Sequence, residues 1–144
     1  MSHLKKFTIT IFFFIISQNL YAEDVTVEML NKSGDEVMVY SKKIVRINAG
    51  EKVLWKSTDP GHNVEFIRGG VPDGVSDFRS NMSKDVDYKF DKPGIYAYQC
   101  TPHKVMGMIG FVVVNGDKSN LEDIKKIKYM GLSKKLAVEL ISQL

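Results

Sequence analysis

The chain predicts a mainly β fold, a sandwich or barrel, followed by two helices. Between residues 25 and 114, apolar residues recur at alternate positions or in short unbroken runs, which is the pattern of strands. Clusters containing Pro, Gly and Asp separate those runs at short intervals, as in all-β domains. After Ser119 the apolar spacing changes to that of a helix.

The first residues stand apart from that pattern. Lys5 and Lys6 precede an almost unbroken apolar run from Phe7 to Ile16, and Leu20-Tyr21-Ala22 offers a cleavage site ending in a small residue. This is the layout of a secretory signal peptide. The apolar run is about half of the ~20 residues that cross a bilayer, which argues against an anchor. Removal of residues 1–22 leaves 23–144, read as a single domain with a sandwich at about 23–116 and helices at about 119–143. The leader holds two lysines and no acid, so its loss lowers the formal charge from +3 to +1. Bulk charge therefore gives no case for nucleic acid, and any steering of partners comes from a local patch.

Val25 to Leu30 alternates, and Val37-Met38-Val39-Tyr40 is a short β-rich run. Ile44 to Ile47 precedes the turn Asn48-Ala49-Gly50; Val53-Leu54-Trp55 precedes the breaker Asp59-Pro60-Gly61. Asn63 to Ile67 can form another strand, and residues 68–85 read as a long connection with one helical turn. Val86, Tyr88 and Phe90 alternate with charges. In the turn Asp91-Lys92-Pro93-Gly94, Pro fixes φ and Gly supplies a positive φ. Ile95 to Tyr98 leads into Cys100, and Ile109 to Val114 is apolar enough for a buried strand. Ser119 and Glu122 fit a capping box. Leu121, Ile124, Ile127 and Lys128 then follow helical spacing to Gly131, and Ser133 can cap a second helix with Leu136, Ala137, Leu140 and Ile141 on its apolar face.

Chemistry concentrates in Cys100-Thr101-Pro102-His103-Lys104-Val105-Met106-Gly107-Met108. A lone cysteine in an exported chain has no disulfide partner, and metal ligation would occupy it. His103 lies three residues on, Pro102 stiffens the loop between them, and His62 lies upstream beside Gly61 and Asn63. One thiolate, two imidazoles and a thioether form the donor set of a blue-copper electron-transfer site. Donor chemistry alone leaves Met106 and Met108 open as the thioether. Zinc would want firmer donors than a thioether. A Cys–His nucleophile would leave the second histidine and the methionine without a role. Asn63 and Thr101 are the nearest polar residues to two of the ligands and can support them.

On these residues the chain resembles the cupredoxins, and among them the pseudoazurin group. Gly61-His62-Asn63-Val64, Pro93-Gly94-Ile95-Tyr96, Cys100-Thr101-Pro102-His103 and Met106-Gly107-Met108-Ile109 carry the likeness, which runs from about Glu28 to the C-terminus and includes the terminal helices. The resemblance implies an eight-stranded Greek-key β-sandwich holding one type 1 copper ion at one end. It implies His62, Cys100, His103 and Met108 as ligands, since the family places its axial Met eight residues after the Cys. It implies a periplasmic one-electron carrier, monomeric and not an enzyme. Transient redox partners would include copper nitrite reductase, other denitrification or peroxidase enzymes and cytochrome c donors. A copper-delivery protein is the alternative, although its donors would be expected on mobile, exposed segments. Met38, Pro102 and Met106 would form an apolar docking patch around His103, with Lys32 and Lys104 nearby. Pro60 and Gln99 stand where relatives often carry lysine, and Lys104 where they often carry an aromatic, so the family's lysine ring is partly rearranged.

Overall fold

The structure is a computed structural model that describes residues 24–144. The expected signal peptide, residues 1–22, lies outside the described residues. Eight strands follow in order: β1 (Val25–Ser33), β2 (Glu36–Tyr40), β3 (Ile44–Ile47), β4 (Lys52–Lys56), β5 (Glu65–Phe66), β6 (Val86–Lys89), β7 (Gly94–Gln99) and β8 (Ile109–Val114). Two helices close the chain, α1 (Leu121–Lys126) and α2 (Leu132–Ile141). Among the described residues, no helix is long and apolar enough to cross a membrane.

The strands form two four-stranded sheets, ordered β2-β1-β4-β6 and β3-β8-β7-β5. The pairs β1–β4 and β3–β8 are parallel, and the remaining pairs are antiparallel. This is the mainly β sandwich with two terminal helices that the sequence predicts.

Strand periodicity explains how the layers stack. Successive side chains on a strand point to opposite faces. On β7, Tyr96 and Tyr98 enter the core between the sheets, while Ile95 and Ala97 face the helices. On β8, Val112 and Val114 face inward while Ile109, Phe111 and Val113 meet Ile124, Ala137 and Leu140. Every β8 residue is therefore buried, which is why that strand reads as an unbroken apolar run. Tyr98 pairs with Gly110 across the ladder, and a Cβ on Gly110 would lie 2.5 Å from the Tyr98 ring. That ring is wedged edge-on between Tyr40 and Trp55, at centroid distances of 4.9 and 5.1 Å.

Four local expectations change. The strand expected at Asn63–Ile67 shortens to Glu65–Phe66 because the preceding backbone pairs elsewhere: Val64 N–H bonds Ser80 Oγ, and the His62 and Val64 carbonyls accept from Ser83 and Ser80. The connection at residues 68–85 holds no helical turn; it folds back along β5, where Arg79 bridges Glu65. The Ser119–Glu122 capping box does not form. Ser119 N–H bonds Asp117, Glu122 pairs with Lys125, and the Asn120 amide clamps both backbone groups of Ile95, at 2.9 and 2.8 Å. The first helix ends at Lys126 rather than Gly131, because Ile127 is extended (ψ 131°) and drops its side chain into the space left by Gly70.

Candidate metal centre

β7 delivers Cys100, and Cys100 N–H bonds the Met108 carbonyl at 3.0 Å, closing the neck of the loop between them. Inside the loop, His103 N–H returns to the Cys100 carbonyl (3.1 Å) and Met106 N–H to the His103 carbonyl (2.9 Å). These turns fold His103 back beside the sulfur. His62 arrives from the separate segment between β4 and β5, after Gly61 turns the chain at φ 91°.

Three donor atoms converge. Cys100 Sγ lies 3.5 Å from His103 Nδ1 and 3.8 Å from His62 Nδ1, and the two Nδ1 atoms are 3.1 Å apart. Metal bonds of about 2.0 Å to nitrogen and about 2.3 Å to sulfur, at angles between roughly 100° and 125°, separate donors by roughly 3.1–3.8 Å. The spacing fits one shared ion. Cys100 and Met108 are fully buried in the inter-sheet core, whereas Met106 is 37% exposed. The arrangement of His62, Cys100, His103 and Met108 suits a single copper ion.

Electrostatics prepare these donors unequally. Burial lowers the pKa of His62, and the nearby His103 lowers it further; burial also lowers that of His103. Both imidazoles thus stay neutral and keep a lone pair for metal. Burial raises the Cys100 thiol pKa, against a weaker opposing pull from the Asn63 and His103 backbone amides. Metal entry must therefore displace the sulfur's proton.

Asn63 and Thr101 bond directly to one another. Asn63 Oδ1 accepts from Thr101 N–H (2.8 Å) and its Nδ2 donates to Thr101 Oγ1 (3.0 Å); Thr101 Oγ1 donates to Glu65 (3.1 Å). These bonds tie the segment carrying His62 to the loop carrying Cys100. Tyr40 adds a bond to the Asn63 carbonyl at 2.7 Å.

Two contributors escape sequence reasoning. Asn31 Oδ1 lies 2.9 Å from His62 Nε2; that oxygen can only accept, so the ring proton sits on Nε2 and Nδ1 is left free for metal. Asn31 is itself fixed by its backbone N–H, which bonds Asp59 at 2.7 Å. The expected helix cap Ser133 lies within α2 instead, buried, with its hydroxyl turned to the ligand loop. Neither residue belongs to a recognisable motif: Asn31 carries no signal in the sequence, and Ser133 reads as a cap.

The surface residues distribute as follows. Pro102, Lys104 and Met106 are exposed on the loop around half-buried His103. Met38 is half-buried on β2 and lines one groove with Met106 and Leu132. Lys32 is exposed on β1.

The family model described as copper binding proteins, plastocyanin/azurin family, matches residues 27–115. A pseudoazurin of Methylorubrum extorquens is 37% identical over 123 residues, covering 85% of this chain and 83% of that one. A putative pseudoazurin of Rhizobium leguminosarum bv. viciae is 42% identical over 117 residues, covering 81% and 77%. The crystal structure of pseudoazurin from Methylobacterium extorquens AM1 superposes with a TM-score of 0.81 at 37% identity, over 84% of this chain and 98% of that one. Native pseudoazurin from Hyphomicrobium denitrificans gives 0.80 at 36% identity, over 85% and 98%.

Proposed function

Because the chain belongs to the plastocyanin/azurin family of copper-binding proteins, and within it to the pseudoazurins, we propose that it is a periplasmic one-electron carrier rather than an enzyme. The observation that carries this reading is the convergence of two neutral imidazoles and one thiol, 3.1–3.8 Å apart, from separate segments of a rigid sandwich. His62, Cys100 and His103 would hold copper as the strong donors, and buried Met108 would cap it; Met106 is too exposed for that role. A bound copper ion would supply a Cu(II)/Cu(I) couple that exchanges one electron without making or breaking a bond.

The protein's own part is to keep geometry constant and water out. The bonds joining Asn63, Thr101 and Glu65 fix the His62 and Cys100 segments relative to one another before metal arrives. His103 is the donor nearest solvent, and its edge is the proposed exit for the electron. Pro102, Met106 and Met38 would provide an apolar contact small enough for a short-lived complex. Lys32 and Lys104 would steer an acidic partner, such as copper nitrite reductase or a cytochrome c donor, over a Debye length of about 8–10 Å. The carrier is expected to act as a monomer after loss of residues 1–22.

Adding Cu(II) to the mature chain should produce an intense blue to blue-green colour that a reductant bleaches reversibly. A colourless protein loaded with Cu(II) would overturn the reading. A delivery role is disfavoured because the sulfur donors Cys100 and Met108 are fully buried.

A further inference from the structure

We propose that the start of α2 is a strut for the ligand loop, and that Ser133 is a positioning residue setting the relation between His103 and Met108. The inference rests on the copper reading only for its final consequence; the strut itself is a property of the polypeptide.

Ser133 is fully buried inside a helix, yet its hydroxyl makes no cap within that helix. It donates to the Lys104 carbonyl at 2.6 Å and accepts from Gly107 N–H at 3.1 Å. One hydroxyl thus grips the residue after His103 and the residue before Met108. Next to it, Leu132 N–H donates to the Val105 carbonyl at 2.8 Å. That amide opens the helix and has no partner within it, so it is free to bond elsewhere. Gly131 makes the approach possible: its φ is +57°, and a Cβ there would lie 2.3 Å from the Val105 oxygen. Three bonds from two adjacent residues therefore hold residues 104–107.

Those bonds matter because of where the loop is free. Its neck is closed by Cys100 N–H to the Met108 carbonyl, and its first turns by His103 and Met106 N–H. The Lys104 and Val105 carbonyls and the Gly107 amide each find their partner on α2. A thioether cap on copper is long and weak. The backbone carrying Met108, rather than the bond to metal, would decide how closely the sulfur approaches. Loosening the strut should move the thioether and the half-buried His103 imidazole together.

The test uses the mature chain with Ser133→Ala. Alanine is the better helix former, so α2 is expected to persist. Loss of about one net hydrogen bond should speed hydrogen exchange of the Gly107 amide in the metal-free protein by roughly fivefold to tenfold, with the β8 amides unchanged. In the copper-loaded protein, the intensity ratio of the visible bands and the reduction potential should both shift. Lys134→Ala, an exposed neighbour, should change neither. Leu132→Pro is the independent variant: it removes the bond to Val105 and sets the ring Cδ against that carbonyl, so it pushes the loop off α2, at a first helical position that tolerates proline and a side chain 69% exposed. It decides the matter if Ser133→Ala does not fold. Unchanged Gly107 exchange in a folded variant overturns the strut. Faster exchange with an unchanged copper spectrum and potential overturns the positioning role. A wild-type protein that stays colourless with Cu(II) sinks the electron-carrier reading instead, while the metal-free exchange comparison still decides the strut.

Discussion

His62 Nδ1 faces His103 Nδ1 across 3.1 Å, although 41 residues separate the two rings in sequence. Burial keeps both rings neutral, and Asn31 holds the His62 proton on the far nitrogen. The one donor still protonated at neutral pH is Cys100, whose thiol pKa is raised by burial. Copper uptake at pH 7 should therefore release about one proton per chain. Calorimetric titration in two buffers of different ionisation enthalpy measures it. A release near zero, or near two, would contradict this assignment.

The same shifts predict acid sensitivity of the metal-free form. The unfolded chain takes up protons on its histidines as pH falls through about 6.5. Folded His62 and His103 resist protonation until lower pH. The unfolded state then binds more protons, so stability declines as pH drops below about 6.5. The Tm of the metal-free protein should fall between pH 7 and pH 5, and His103→Ala should flatten that fall. Bound copper should raise Tm across this range yet steepen the fall, because ligation keeps the folded rings deprotonated while the unfolded chain still takes up protons.

Met108 and Met106 test the axial assignment directly. Met108 is fully buried with Cys100, whereas Met106 sits on the surface groove. Met108→Gln should keep a coloured site with a changed reduction potential. Met106→Gln should leave the spectrum near wild type. A larger spectral change from Met106→Gln would exchange their roles.

Asn31 supports His62 from the far side of the ring. Removing its side chain frees the Nε2 proton and lets the ring tilt or change tautomer. Loss of such a support typically weakens metal binding by about 10–100-fold. Asn31→Ala should lose copper to a competing chelator more readily by that order, with the far-ultraviolet spectrum of the sandwich intact. Equal affinity in variant and wild type would show that the bond at 2.9 Å does not orient the ring.

The sandwich was legible because its signals are local. Alternation on β1, β4 and β6 and the unbroken run of β8 report burial directly. The donor cluster was legible because Cys100 and His103 share one short loop and only two histidines, His62 and His103, follow the expected signal peptide. What stayed hidden depends on long-range pairing. Ser133 looks like a helix cap until the loop 29 residues upstream is seen to need its hydroxyl. Ser119 and Glu122 satisfy a capping pattern, but Asn120 is claimed by Ile95, and the chain enters α1 without that cap. Asn63 and Val64 open the run expected as a strand, yet their backbone is taken by Tyr40 and Ser80.

Gly110 carries the last prediction. Its partner Tyr98 fills the space above it, with Cζ and the hydroxyl each 2.5 Å from where a Cβ would stand. The ring cannot retreat, since Tyr40 and Trp55 press on it at 4.9 and 5.1 Å. Gly110→Ala should therefore overpack the core and cost about 1–3 kcal/mol. In a domain of this size that lowers Tm by roughly 3–15 °C. Trimming the ring relieves the clash, so Tyr98→Leu should cost less in the Gly110→Ala background than alone, a coupling that a double-mutant cycle reads directly. Additive losses would mean that the backbone shifts instead. In that case β8 would move, and Met108, which directly precedes it, would move too, so the visible spectrum of the copper-loaded variant would change alongside its stability.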